Sequence, residues 1–452
     1  MNQAMRQARA RALTSERVRD YLTVWTVVLL VSGQGFRYLL GIPAYAVLAV
    51  VTVAAVVLCF RAPLRTLRLP LLLSAFVGLA ALSILWSGTR AVTAAAVAVV
   101  LIITYLAVVM MRRASAAEFM VLLYRGLQIS LYGGLLFELI VALAIRHPVA
   151  PLGRDLQRIA DESGSFDPIM WSDNNLFHGG PIQGFVGNRN PFASIALLTA
   201  ILAFVLLLER SVRRADALVT LAAALAVYLL TLSATVTVAS VYIVGLVLSA
   251  LAIRSVSLPS KRVLSFVTLA VTAIAAVLTI KYRALIFGLL DRSADATHRT
   301  DIWDQVIHVA WLRPEGWGYV GYWPIWDEPY ATIVDHAGVL AAHAHNAFLD
   351  SWLQLGLIGL TLLIVIVVLL FGSAWRLVER AEKGDTFIPL GWALLAAALV
   401  LESLTESRLL VEGGWFLLVA LYCSGPQVFT LTIVDPNLVH TGSTRAERAE
   451  PT

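Results

Sequence analysis

Charge is scarce in this chain. Only 14% of its 452 residues are Asp, Glu, Lys or Arg, against about 25% in soluble globular proteins. Cysteine is scarcer still: the two present, Cys59 and Cys423, both fall within apolar runs. That excludes a cysteine metal cluster, a Cys-x-x-Cys redox pair and a disulfide framework. No repeat of 20–50 residues and no low-complexity tract is found, which excludes a solenoid or propeller. What is abundant is apolar surface, with 59% hydrophobic residues. A soluble fold of this length has too little interior to hide it, so the solvent is lipid. A free cytosolic enzyme, a secreted disulfide scaffold and a nucleic-acid binder are excluded.

A helix needs roughly 20 apolar residues to cross the hydrocarbon core. Runs of this kind lie at 21–40, 43–60, 69–86, 91–111, 119–145, 191–208, 215–232, 235–253, 263–282, 346–372, 386–403 and 413–433. The backbone must satisfy its own hydrogen bonds in lipid, so such runs are helices. The expected fold class is an all-α integral membrane protein with about twelve transmembrane helices. Lys and Arg set its orientation. Arg6, Arg9, Arg11, Arg17 and Arg19 precede the first span, and Arg61, Arg65 and Arg68 follow the second. Arg112 and Arg113, then Arg210, Arg213 and Arg214, then Arg254, Lys261 and Arg262, then Arg376, Arg380 and Lys383 follow every second span thereafter. The positive-inside rule puts all of them, and both termini, in the cytoplasm. The expected organisation is a basic cytoplasmic segment at 1–20, a membrane domain at 21–434 and a disordered cytoplasmic tail at 435–452. The first apolar run has full span length and no small-residue cleavage site, so it reads as a span and not a removed signal.

Two connections are long, 146–190 and 284–345, and both fall on the outer face. They hold seven of the eight histidines and carry a net charge of −6 against +11 for the rest of the chain. The second holds Trp303, Trp311, Trp317, Trp323 and Trp326. Two readings stand for these tryptophans: anchors at the membrane interface, or aromatic faces for sugar rings. Residues 299–311 read as an amphipathic helix through Ile302, Val306 and Val309, lying on the membrane or over a cavity mouth. Arg125 and Glu138 lie inside the fifth span, where charge is costly and turns to the bundle interior. They are 13 residues apart, about 20 Å along a helix, too far to pair. Glu402, Glu406, Arg408 and Glu412 make a charged outer end to the last two spans. They read either as a solvated rim with local ion pairs or as a ligand contact.

Three segments carry chemistry. The first is Gly184-Phe-Val-Gly-Asn-Arg-Asn-Pro-Phe-Ala193. The second is Thr297-His-Arg-Thr-Asp-Ile-Trp303, followed by Pro314-Glu-Gly-Trp-Gly-Tyr-Val-Gly321. The third is His343-Ala-His-Asn-Ala-Phe-Leu-Asp-Ser-Trp-Leu-Gln-Leu-Gly-Leu-Ile-Gly359. Here the chain resembles the O-antigen ligase and polymerase superfamily of bacterial membranes. The His-Asn-x-x-Leu and Gly-x-x-Gly pattern falls on His345, Asn346, Leu349, Gly356 and Gly359, and the Arg-Thr-x-Ile-Trp and Gly-Asn-x-Asn elements match as well. The resemblance covers roughly residues 20–430. It implies an inverting, metal-independent glycosyltransferase in the bacterial inner membrane, working on the external face without a cofactor. The donor would be a glycan on undecaprenyl pyrophosphate. The acceptor would be a hydroxyl on a second glycan, a lipid or a protein.

On that resemblance His345 is the catalytic base and Arg299 holds the pyrophosphate. Asn346, Asn190 and His343 support or orient. Family members often carry an arginine in a Ser-Arg element of a middle span. The corresponding stretch, Thr231-Leu-Ser-Ala-Thr-Val-Thr237, has none, and Arg189 and Arg408 are the candidate replacements. The chemistry suits these residue types: histidine titrates near neutrality, and arginine's planar fork matches phosphate oxygens. Each residue also has a plainer reading. His345 and the asparagines are helix-capping types, and Arg299 can snorkel to the interface. Ligase and polymerase differ only in acceptor. An Arg-x10-Gly pair described for some polymerases is absent from both long loops. The competing class is a lipid-glycan flippase or transporter. Transporters place polar groups near the midplane between matching halves, whereas here they cluster in outer loops.

Overall fold

The computed structural model describes residues 3–61, 69–153, 170–282, 293–337 and 341–424. The expected tail at 435–452, and the end of the last expected span beyond Ser424, lie outside the described residues. Among the described residues the structure is helical, with one isolated bridge between Val149 and Ser172. The helices are α1 Gln3–Val31, α2 Gly33–Leu40, α3 Ile42–Phe60, α4 Leu71–Leu82, α5 Arg90–Met111, α6 Ala116–Ile140, α7 Arg189–Leu208 and α8 Arg214–Thr231. They continue with α9 Ala234–Ile253, α10 Leu258–Lys281, α11 Ser293–Trp311, α12 Tyr330–Ala337, α13 Ala347–Arg380, α14 Ile388–Ser403 and α15 Glu412–Ser424.

The described part of each apolar run is mostly helical, but the first, 21–40, is split between α1 and α2, and the last is described only to Ser424. Among the described residues seven helices are long and apolar enough to cross a membrane, which leaves the expected twelve an expectation. The apolar part of α1, Ser15–Val31, joins α2 at a bend of 76° and makes an eighth candidate. Two more apolar helices, Leu71–Leu85 and Ile388–Ser403, are shorter. The chain is thus a multi-pass membrane protein. Burial sorts these helices radially. One helix, α3, leaves Val47, Val50 and Leu58 more than 60% exposed on its outer side, as a lipid-facing helix must. By contrast α7, α14 and α15 are buried along most of their length. There Trp415 stacks on Phe76, and Trp392 on Phe119.

The two intramembrane charges find separate partners. The Arg125 guanidinium donates to both oxygens of Asp216 at 3.1 and 2.9 Å. Glu138, fully buried, accepts from Ser172 Oγ at 2.9 Å and from the backbone of Gln183 and Gly184 at 3.0 and 2.7 Å. That carboxylate fastens the first outer loop to the end of α6, and so positions the entry to α7.

The second outer loop has a core of its own. Ile302, Val306 and Val309 of α11 are buried as their spacing predicts. Their cover is protein, however: Tyr330 and Ile333 of α12, with Trp352 and Leu353 of α13. An expectation that this helix lies on the membrane is therefore replaced by packing within the loop. Three tryptophans serve this core as hydrogen-bonded struts. Trp303 Nε1 donates to Ala344 O at 2.9 Å, Trp317 Nε1 to Val309 O at 3.2 Å, and Trp323 Nε1 to Asp350 Oδ1 at 2.7 Å. Only Trp311 and Trp326 remain exposed, at 62% and 60%. The interfacial and sugar-stacking readings are confined to these two.

The Gly-x-x-Gly element has a structural cause. At Gly356 the chain takes φ 67°, ψ −167° inside α13. The break frees the carbonyls of Leu353 and Gln354, which accept from Trp317 N and Gly318 N at 2.9 Å each. Leu357 N donates to Pro314 O instead of continuing the helix. The Pro-Glu-Gly-Trp-Gly strand thus docks into the gap, and Gln354 Oε1 holds its far end through Val320 N and Gly321 N. A Cβ on Gly356 would lie 2.0 Å from Pro314 O. Gly356→Ala is therefore expected to destabilise the protein by about 2 kcal/mol or more. Gly372→Ala in the same helix meets nothing within 4 Å and is expected to be neutral or slightly stabilising. Melting temperatures of the two variants in detergent check the contrast.

Candidate functional site

At its C-terminal end α14 unwinds into a short connection to α15. Thr405 N and Glu406 N both bond back to Glu402 O, at 2.9 and 2.8 Å, and the Glu406 side chain turns inward, 5% exposed. Three elements distant in sequence converge on it. From α11, Arg299 donates Nη2 to Glu406 Oε1 and Nη1 to Thr405 O, both at 2.9 Å. From the start of α7, Asn190 Nδ2 donates to the same Oε1 at 3.0 Å. From the turn before α13, His345 Nδ1 lies 3.3 Å from Oε2.

Local chain geometry sets each of these. Asn346 caps α13, its Oδ1 accepting from Phe348 N and Leu349 N at 2.9 and 3.1 Å, a contact worth about 1 kcal/mol. Its Nδ2 reaches Leu404 O at 3.2 Å, and its own N–H donates to Ser407 Oγ at 3.1 Å. Asn346 thereby pins the start of α13 to the Glu406 turn. His345 takes a left-handed conformation, φ 50°, of a kind that concentrates at functional sites. Its N–H then donates to His343 Nδ1 at 3.1 Å, with the two rings 4.1 Å apart. Asn188 caps α7, and Asn190 lies inside its first turn. Ser233 Oγ, from the stretch that lacks the family's arginine, donates to Asn190 Oδ1 at 2.9 Å.

The electrostatics follow from these contacts. Burial opposes ionisation of Glu406, but His345 and Arg299 outweigh it and hold the carboxyl well below the usual range. The Glu406 carboxylate faces His345 Nδ1 and not Nε2, so a proton on Nδ1 would be hydrogen-bonded to it. For His343, burial first and then the charges of His345, Arg299 and Arg408 depress the imidazole to about 3, against the opposing pull of Glu406. It is neutral in the fold. Tyr322 is 40% exposed, and its ring lies 6.5 Å from that of His343.

Of the residues singled out in the sequence, His345, Arg299, Asn346, Asn190 and His343 come together. Arg408 lies beside them, paired to Glu402 at 3.4 Å. Arg189 begins α7, and its neighbour Asn190 is the residue that reaches Glu406. The residue sequence reasoning underrated is Glu406 itself. It stood among four charges read either as a solvated rim or as a ligand contact, and no local motif set it apart from the other three. His343, His345 and Glu406 also bring one ligand atom each within 4.8 Å of one another, a spacing a divalent cation accepts. Yet Oε1 already serves Arg299 and Asn190, and Oε2 serves His345. A cation there would displace these donors and face the Arg299 charge.

The depressed imidazole has a pH consequence. His343 is neutral when folded, but takes a proton below its ordinary value of 6.5 when unfolded. Its contribution is complete above pH 6.5 and is lost as pH falls towards about 3. Glu406 acts in the same direction at lower pH. The fall in melting temperature between pH 7.5 and pH 5 is therefore expected to be smaller in His343→Gln than in the wild type. Equal falls would mean that His343 is charged in the fold.

Comparison with known proteins bears on the same residues. Residues 195–364 match the family model of the O-antigen ligases, a stretch that takes in Ser233, Arg299, His345 and Asn346. A 201-residue alignment is 31% identical to the exopolysaccharide production protein ExoQ of Rhizobium meliloti and covers 41% of this chain. The chain spans less than half of that relative, 44% of its length. Over residues 195–364 the chain is thus similar to the O-antigen ligases, and both comparisons support its resemblance to the O-antigen ligase and polymerase superfamily.

Proposed function

We propose that the protein is an O-antigen ligase-like glycosyltransferase of the bacterial inner membrane. It transfers a glycan from undecaprenyl pyrophosphate to an acceptor hydroxyl on the external face, without a metal. The observation that carries this reading is the His345–Glu406–Arg299 constellation, a histidine whose Nδ1 faces a buried carboxylate that an arginine also holds, at the end of a helical bundle. In the proposed step the acceptor oxygen attacks the anomeric carbon of the donor sugar, and His345 Nε2 takes the acceptor's proton. The bond from that carbon to the pyrophosphate oxygen breaks, and undecaprenyl pyrophosphate leaves with the electron pair. A single displacement inverts the anomeric configuration. Glu406 stabilises the imidazolium that forms, as a carboxylate orienter does.

Arginine stabilises the charge developing on the leaving group. Arg299 supplies it here, with Arg189 and Arg408 as nearby cations. The two-point hold of Arg299 on Thr405 O and Glu406 keeps its fork oriented. The prenyl tail explains why such a site sits at the edge of a lipid-embedded bundle. Similarity to a protein named for exopolysaccharide production favours a growing polysaccharide as the acceptor, the polymerase form of the same reaction.

Purified protein given an undecaprenyl-pyrophosphate glycan and a glycan acceptor is expected to release undecaprenyl pyrophosphate. His345→Ala should lower kcat by about 10²-fold or more. Glu406→Gln should lower it less, and Arg299→Lys should act mainly by raising the donor KM. Turnover unchanged in His345→Ala would sink the base assignment. Loss of activity in EDTA, restored by a divalent cation, would replace the metal-free reaction with one that uses His343, His345 and Glu406 as ligands.

A further inference from the structure

The first span is broken where no proline demands it. Ser15–Val31 and Gly33–Leu40 meet at 76°, and α2 presses inward on glycines. A Cβ on Gly33 would lie 2.8 Å from Tyr45 Oη and 3.2 Å from Glu412 Oε2. One on Gly35 would lie 2.1 Å from Phe185 O. The bend carries Arg37 into the protein. Its Nη1 pairs with Glu412 Oε1, and its Nη2 reaches Oε2 at 3.4 Å. Gln34 Oε1 accepts from Nη2 and Nε at 2.8 and 3.2 Å. The guanidinium carbon lies 5.2 Å from the Tyr45 ring centroid and 5.8 Å from that of Tyr322. Tyr322 in turn neighbours His343.

Arg37 and Arg299 are matched. Each side chain is 14% exposed, and each is paired to a glutamate next to α15, Glu412 and Glu406 respectively. Arg408 on Glu402 makes a third pair. All three acids come from one stretch of chain, 402–412. A buried ion pair rarely adds net stability over an apolar substitute. A helix break, two close-packed glycines and a buried charge pair are therefore poorly explained by stability alone. Their result is a set of guanidinium groups around Tyr322 and His343, each held oriented by a counter-ion and each able to exchange that counter-ion for a phosphate oxygen. Arginine's fork suits such bidentate exchange.

The stretch Thr231 to Thr237 beside the site offers it no cation, and Ser233 there serves Asn190. We infer that Arg37 is a diphosphate-binding residue of the site. From the Tyr322 side it contacts the donor's diphosphate together with Arg408, and Glu412 holds it ready in the unliganded protein. The inference rests on the reading that the donor is a polyprenyl diphosphate.

The test compares the wild type with the double variant Arg37→Gln/Glu412→Gln, which removes both charges and leaves no unpaired one, and with Arg37→Lys. Binding of undecaprenyl pyrophosphate and of undecaprenyl monophosphate is measured by native mass spectrometry, and donor and acceptor KM by steady-state turnover. The double variant is expected to bind the pyrophosphate about tenfold or more weakly, with a parallel rise in donor KM. Monophosphate binding and acceptor KM should change little. Should the double variant fail to fold, Arg37→Lys is read the same way, with a smaller loss expected. Wild-type pyrophosphate affinity in a folded double variant, or in Arg37→Lys where the double variant does not fold, would overturn the assignment and leave Arg37 a structural ion pair. A wild-type protein that releases no undecaprenyl pyrophosphate from donor would overturn the proposed transferase instead, and the pyrophosphate-binding series would still decide Arg37.

Discussion

A buried carboxylate costs several kcal/mol unless donors meet it, and Glu406 meets three elements at once. Arg299 and Asn190 share one oxygen and His345 takes the other, while Asn346 and Ser407 tie the same turn to α13. The requirement that every one of these donors reach one small anion fixes the relative placement of α7, α11, α13 and the α14–α15 connection. Loss of that charge would leave Arg299 buried without its counter-ion and would remove the carboxylate that faces His345 Nδ1. This end of the bundle is organised around the ion, and the candidate site takes its geometry from it.

The scaffolding around the site is equally specific. Asp350 and Gln354, one turn apart on α13, accept from the loop above them: Trp323 Nε1 and Ala344 N on the first, Val320 N and Gly321 N on the second. The break at Gly356 supplies two further backbone acceptors. A loop of this length would be mobile if only its own contacts held it. Here it is sewn to a membrane helix, which is how His343 and His345, at its far end, come to be positioned. Glu138 does the same for the first loop and for the start of α7.

Much of this was legible from residue order. Lipid solvent, helical class and two long polar loops follow from composition and spacing, and the grouping of His345, Asn346 and Arg299 from the resemblance their motifs carry. The amphipathic face of α11 was legible in its periodicity, but its cover was not, because an apolar stripe does not say whether lipid or protein lies against it. The five loop tryptophans looked alike in sequence. Three are struts and two are exposed, a division made by which indole N–H finds an acceptor.

The sequence by itself determined the solvent and the helical class. Apolar runs of span length leave the backbone no alternative to helix in lipid, and the scarce polar residues gather in two long loops. Tertiary structure alone decided the pairing of charges. Glu406 and Arg299 are 107 positions apart, and Arg37 and Glu412 are 375. No local pattern couples residues at such separations. Only packing decides which carboxylate a buried arginine meets, because an unpaired charge is too costly to bury and the folded chain must bring a partner to each.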